Sequence, residues 1–231
     1  MAIPELDSES GSGRFHEDRK DVRLMGEIWV VRHAQSLGNH AGLFIGRTDS
    51  PLSEKGIAQA DAVGFEIARR AVRVTRIVSS GSRRAVQTAS AIAEALGAGE
   101  LLEQDDRVRE MDYGDWEGRA FADVGDPIAV AKLFSNPVFA PPGGESVELL
   151  CERTRQAIED YSQGTEPGAV SVVVTHLGPA KASAMWALNC DESCFPRIRI
   201  DNASITRIYS SSAGSYMIST NETQHLFQGN E

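Results

Sequence analysis

The 231-residue chain has no run of ~18 consecutive apolar residues, the length that a membrane-crossing helix needs. Its start lacks the basic-then-apolar pattern of a secretory signal. Cysteine is scarce and odd in number: Cys151, Cys190 and Cys194 are the full set. Cys190 and Cys194 have no second ligand pair, so no zinc site is expected, and free thiols in a reducing compartment are. These absences together predict a cytoplasmic protein. Basic residues are also in deficit, with 23 Lys and Arg against 33 Asp and Glu, a net charge of −10. That balance argues against nucleic acid and against an acidic membrane surface as partners. It also repels phosphorylated ligands at long range, so any attraction for them must be local. There is no internal repeat and no sign of a second core.

What remains fits one folded unit. The length suits a single α/β domain, and a hydrophobic content of 41% is ordinary for a globular protein. Residues 1–24 are polar, rich in Gly and Ser and of mixed charge, and bury too little to fold alone. They are expected to form a flexible N-terminal extension, with the folded domain over residues 25–231. Strand-like and helix-like segments then alternate, as a wound sheet requires. Ser53 is suited to cap a helix running to about Arg70, with Ile57, Ala60, Val63, Gly64, Ile67 and Ala71 on one face. Residues 84–96 read as a helix ended by Gly97, and Ala180 to Leu188 as another. Val147, Leu150, Cys151, Thr154, Ile158 and Tyr161 recur at helical spacing and read as core. The expected fold is α/β: a single-domain, mostly parallel wound sheet with helices on both faces.

Four segments carry chemistry. In the first, the apolar run Ile28-Trp29-Val30-Val31 ends in Arg32-His33. The run is too short for a helix and reads as a buried parallel strand. Ligands of open α/β sheets sit beyond the carboxyl ends of strands, where this Arg and His fall. Arg binds phosphate bidentately and keeps its charge, and neutral imidazole is a nucleophile near neutral pH. The pair therefore suggests phosphoryl transfer through a covalent phosphohistidine.

In the second, a strand runs into Ser79-Ser80-Gly81, and a helix starts near Arg83-Arg84. A helix start offers free N–H groups and a positive dipole end to an anion. The third is the acidic, aromatic stretch from Glu110 through Gly118, read as an irregular active-site loop. Glu110, Asp112, Asp115 and Glu117 are all candidates by type for a proton donor to the leaving group, and spacing does not choose among them. In the fourth, Val170-Ser171-Val172-Val173-Val174-Thr175 is the strongest strand of the chain and ends in His176. A second imidazole there could stabilise charge as a P–O bond breaks.

Taken in order, these segments resemble the histidine phosphatase superfamily, also called phosphoglycerate mutase-like. The resemblance rests on Arg32-His33-Ala34-Gln35-Ser36 with Asn39, then on Gly46-Arg47-Thr48-Asp49-Ser50-Pro51-Leu52. It continues through Ser79-Ser80 with Arg84, Glu110 with Gly114, Trp116 and Glu117, Pro142-Gly143-Gly144-Glu145-Ser146, and Thr175-His176. It implies His33 as nucleophile, a phosphate pocket of Arg32, Arg84 and His176 assisted by Asn39, and Glu110 as acid and then base. It further implies a substrate contact at Arg47 and at the Leu177 backbone, a small phosphorylated metabolite as substrate, and no metal or cofactor. Ala34 and Leu177 depart from the family's usual glycines, and Leu177 is expected to reshape the substrate entrance. Residues 119–144 are expected to form a cap beside the pocket that governs substrate choice. A phosphatase is the expected activity. The alternatives are a phosphoglycerate mutase, which the shortness and low basicity of 119–144 disfavour, and a non-catalytic phosphate-binding scaffold. A homodimer is possible.

Overall fold

The structure, a computed structural model, describes residues 24–211 and 214–227. The proposed extension therefore lies, apart from Leu24, outside the described residues. Within them, six strands form one sheet in the order β3-β2-β4-β1-β5-β6. These are β1 (Leu24–Arg32), β2 (Arg73–Ser79), β3 (Leu102–Gln104), β4 (Ala169–Thr175), β5 (Ile205–Ser211) and β6 (Gly214–Glu222). The first four run parallel, and β5 and β6 add an antiparallel edge beside β1. β1 and β4 are central, and every residue of β4 is buried, as its unbroken β-branched run requires. Their register pairs Arg32 with Thr175, which brings His33 and His176 to the same edge of the sheet.

The helices are α1 (Leu37–His40), α2 (Glu54–Arg69), α3 (Arg83–Leu96), α4 (Pro127–Ser135), α5 (Val147–Gly164) and α6 (Leu177–Leu188). Trp29, Val31, Val172 and Val174 turn to one face and pack with Val63, Ile67 and Ala89 of α2 and α3. Ile28, Val30 and Val173 turn to the other, against Ile158 of α5 and Ala180 of α6. This alternation across a two-residue period is what two covered faces demand.

Local signals set the helix ends. Ser53 Oγ accepts the Gly56 N–H at the start of α2, and Ser146 accepts that of Leu149 at the start of α5. Gly97 closes α3 in the left-handed conformation at φ 61°. Two members of the expected α2 face fall off it. Ile57, in the first turn, is half exposed, and Ala71 lies past the helix end. Helix α6 begins three residues earlier than expected, with His176 as its N-cap.

Residues 119–144 contain a short 3-10 turn (Phe121–Val124) and then α4, whose Pro127 sits at the helix start behind the N-cap Asp126. Leu133 of α4 is buried in a third apolar cluster with Phe44, Met111, Trp116, Leu150 and Phe195. That cluster ties α4 to the Glu110–Gly118 loop and to the region after α6. Among the described residues no helix is long and apolar enough to cross a membrane.

Candidate active site

Four chain segments converge at the carboxyl ends of β1, β2 and β4, and the backbone explains how. The His33 N–H donates to the Thr175 carbonyl at 2.8 Å, and the Ala34 N–H donates to Thr88 Oγ1 at 3.1 Å. Asn202 Nδ2 donates to the His33 carbonyl at 3.0 Å, and the Ala203 N–H to the Arg32 carbonyl at 2.9 Å. The residue bearing the first imidazole is thus fixed on three sides, by β4, α3 and the approach to β5.

The His33 ring is buried, and its Nδ1 lies 2.7 Å from the Ala34 carbonyl. A carbonyl only accepts, so Nδ1 carries the proton and Nε2 keeps its lone pair. Arg84 Nε donates to this Nε2 at 3.3 Å and to Nδ1 of His176 at 3.2 Å. His176 therefore holds its proton on Nε2, which donates to Ser80 Oγ at 2.6 Å. The two rings stand edge to face with centroids 4.9 Å apart. Burial, then the Arg84 and Arg32 charges, hold His33 well below the usual imidazole range, against the Ala34 hydrogen bond. Burial and the Arg84 charge do the same for His176. Both rings are neutral at physiological pH.

Arg84 is fully buried, and its remaining donors go to the carbonyls of Ile45, Gly46 and Thr48 at 2.9–3.2 Å. No carboxylate lies within ion-pair distance of it among the described residues. Arg32 donates to the Ile200 carbonyl at 2.7 Å, while its Nε is buried without an acceptor. Burial lowers the pKa of both guanidinium groups, with Glu110 opposing. Two cations enclosed without a paired anion are costly unless an anion joins them, and an oxyanion supplies the charge and the acceptors.

The acidic loop sorts itself by contact. Glu117 accepts the N–H groups of Gly46, Arg47, Thr48 and Tyr113, and these bonds overcome desolvation to lower its pKa. It holds in place the loop whose carbonyls cradle Arg84. Asp112 accepts from the Gly114 N–H and faces Arg47 at 3.8 Å. Asp115 is exposed. Glu110 is buried at the start of α6. Its Oε1 accepts from Met111 and Gly178, and its Oε2 from Leu177, at 2.9–3.1 Å.

The sequence candidates are thus brought together for Arg32, His33, Arg84, Glu110 and His176. Asn39 lies close by, but its side-chain oxygen completes a reciprocal cap with Ser36 and accepts from Asn202, leaving the amide NH₂ as its available donor. Arg47 sits at the rim, one-third exposed. The Leu177 N–H, expected to face substrate, instead donates to Glu110. Ala34 and Leu177 both keep ordinary negative φ, so neither position needs a glycine backbone. Sequence reasoning missed Asn202, and it missed Ser80 although that residue stands in a block that carried the resemblance. It also missed Tyr113, whose phenol pKa is raised by burial and then by Glu110 and Glu117. Among the described residues no group of three His, Cys, Asp or Glu side chains gathers as a metal site.

Comparison with known proteins agrees with this geometry. Residues 28–223 match the model of the histidine phosphatase superfamily (branch 1). A putative phosphoserine phosphatase 2 of Hydrogenobacter thermophilus is 34% identical over 88% of this chain and 99% of its own. The mycobacterial glucosyl-3-phosphoglycerate phosphatase in complex with VO3 superposes with a TM-score of 0.77 at 28% identity, over 85% of this chain and 99% of that one. A phosphoserine phosphatase mutant of Entamoeba histolytica, in complex with phosphoserine, superposes at 0.76 and 26% identity, over 87% and 100%. The chain belongs to the histidine phosphatase superfamily and is a phosphoric monoester hydrolase.

Proposed function

We propose that this phosphatase hydrolyses a small phosphomonoester without a metal ion, through a phosphohistidine formed on Nε2 of His33. The observation that carries the reading is the tautomer of His33. The Ala34 carbonyl holds the proton on Nδ1, so Nε2 is unprotonated and turned to the Arg84 guanidinium, whose N–H it accepts and where a phosphoryl group would be drawn. Arg32 and Arg84 then supply positive charge to the phosphoryl oxygens, of the kind a metal would bring, with the neutral His176 ring and the Asn39 amide beside them.

In the first step Nε2 attacks phosphorus in line, and the P–O bond to the leaving group breaks with its electron pair going to oxygen. Glu110 gives that oxygen its proton. In the second step Glu110 takes a proton from water, the water oxygen attacks phosphorus, and the P–N bond breaks to return neutral His33 and inorganic phosphate. A positioned acid–base group contributes roughly 10²–10⁴ in rate. That Glu117 holds the Gly46–Thr48 loop and that Asp115 is exposed supports Glu110 as the acid in this reading.

Residues 119–144 act as the cap in this reading, since Leu133 and Phe134 of α4 line the same cavity as Glu110. Relatives named for phosphoserine and glucosyl-3-phosphoglycerate support a small phosphorylated metabolite as substrate. The three free thiols suit a reducing, cytoplasmic setting. The test is hydrolysis of p-nitrophenyl phosphate in EDTA, with acid-labile label trapped on the protein during turnover. Label on His33 and loss of turnover in His33→Ala are expected. Label on another residue, or activity abolished by chelation, overturns the reading.

A further inference from the structure

One buried charge takes no part in the mechanism above. Lys181 lies on α6 one turn beyond Leu177, about 6 Å along the helix axis at 1.5 Å per residue. Helical side chains lean toward the N-terminus, so its long stem leads back toward Glu110 and the catalytic groups. The residue is only 9% exposed. Among the described residues it forms no ion pair or hydrogen bond, and its Nζ rests 4.9 Å from the centre of the Phe195 ring. It lines a narrow cavity together with Glu110, Leu177, Gly178, Phe134 and Phe195. Glu110, the carboxylate that acts on it most strongly, is already held by three backbone N–H groups.

A lysine enclosed without a counter-ion is unusual, because burial penalises the charged form and a free ammonium keeps its water. Burial indeed pulls its pKa down. Here the ammonium borders the cavity that also opens on the proposed proton donor. A substrate whose ester oxygen meets Glu110 would present its next atoms to this cation.

We propose that Lys181 determines specificity by binding a carboxylate on the substrate, so that the preferred substrates are phosphomonoesters carrying a carboxylate close to the phosphate. The cavity is narrow, about 20 Å³, and a single ammonium matches the one charge of a carboxylate rather than the two of a second phosphate. Phe195 and Leu177 supply apolar walls beside the contact. This inference rests on the phosphatase reading above and names the substrate class of that same site.

The test uses matched substrates with the full chain. Phosphoserine and phosphoethanolamine differ only in the carboxylate, and 3-phosphoglycerate and glycerol 1-phosphate form a second such pair. Wild type is expected to favour the carboxylate member of each pair by at least about tenfold in kcat/KM, with most of the difference in KM, the size of one charge-assisted hydrogen bond. Lys181→Met should bring both ratios close to one, and Lys181→Arg should restore much of the preference. Fructose 1,6-bisphosphate against fructose 6-phosphate tests the other source of negative charge, and a larger preference there overturns the carboxylate assignment. Ratios near one in the wild type also overturn it, whether or not the variants fold. So does an equal loss on both members of a pair in Lys181→Met, which would mean that Lys181 acts on Glu110 rather than on substrate. Absence of p-nitrophenyl phosphate hydrolysis by the wild type would instead defeat the phosphatase mechanism itself.

Discussion

Gly178 is closed to any side chain by Glu110: a Cβ there would stand 2.5 Å from Oε1 of Glu110 and 2.7 Å from Cδ2 of Leu150. The same Oε1 accepts the Gly178 N–H at 3.0 Å. The start of α6 and the proposed acid are thus fitted to each other, and moving one moves the other.

Gly178→Ala should displace the Glu110 carboxylate, since the end of a side chain yields more easily than a helix backbone. Its stability cost should be about 1–3 kcal/mol, the usual range for overpacking. Its kinetic effect should depend on the leaving group. Alkyl phosphates need a proton on the departing oxygen and should slow roughly tenfold or more, whereas p-nitrophenyl phosphate should slow much less. Comparing kcat for the two classes checks this, and an equal loss on both would remove Glu110 from the role of acid.

Ser80→Ala removes the acceptor of the buried His176 Nε2 proton. An unsatisfied buried donor costs about 1–3 kcal/mol, which should appear as a lower unfolding midpoint in urea. The ring should also lose its fixed tautomer, visible in the nitrogen chemical shifts of His176, and turnover should fall with it. Unchanged shifts and rate would leave Ser80 without a positioning role.

Acid should weaken the fold through the two buried imidazoles, His33 and His176. Both are held well below the ordinary value of about 6.5, so the unfolded chain binds more protons than the native one below that pH. Their stabilising contribution is complete above pH ~6.5 and declines as pH falls, at up to ~1.4 kcal/mol per pH unit for each ring. Urea titrations between pH 7.5 and 5 measure the slope. A profile that is flat there, or that rises toward acid, contradicts neutral buried rings. For the same reason kcat/KM should show no limb centred near 6.5.

Glu117→Gln tests the loop that cradles Arg84. The carboxylate accepts four backbone N–H groups, and an amide presents only one acceptor oxygen. Loss of these charge-assisted bonds should cost about 1–3 kcal/mol at neutral pH. The native carboxyl pKa is depressed, so its contribution is present above about pH 4.5 and disappears as pH falls through the native value, where variant and wild type should converge. Affinity for phosphate and vanadate should drop because the Ile45, Gly46 and Thr48 carbonyls no longer hold Arg84 in place. Isothermal titration of vanadate reads the second effect.

Part of this site was legible because His33 and His176 each follow directly on a strand that declares itself. The β-branched run of β4 predicts burial on both faces, and His176 follows it directly. Helix caps at Ser53, Ser146 and Gly97 are local chemistry and could be read locally. The start of α6 could not. Leu177-Gly178-Pro179 contains two residues that disfavour helix interiors, yet the first turn needs no internal N–H bond, and Glu110 satisfies the two N–H groups that are present. That acceptor is 67 residues away in sequence. What distinguishes the four acids of the loop was hidden for the same reason, because their partners come from distant segments. Nothing in the sequence set Lys181 apart, because Phe195 and Phe134, which line the cavity with it, come from other segments.

The carbonyl cradle around Arg84 has a further consequence. Those carbonyls orient the guanidinium without neutralising it, and Glu110, Asp49 and Glu117 oppose its charge without forming an ion pair with it. Whatever oxyanion settles there lowers the energy of the whole fold, including the orthophosphate left behind by each turnover. Thermal endurance and product inhibition become two readings of one affinity. An engineer who relieved the inhibition by loosening that grip would have to rebuild elsewhere the resistance to unfolding that the grip had provided.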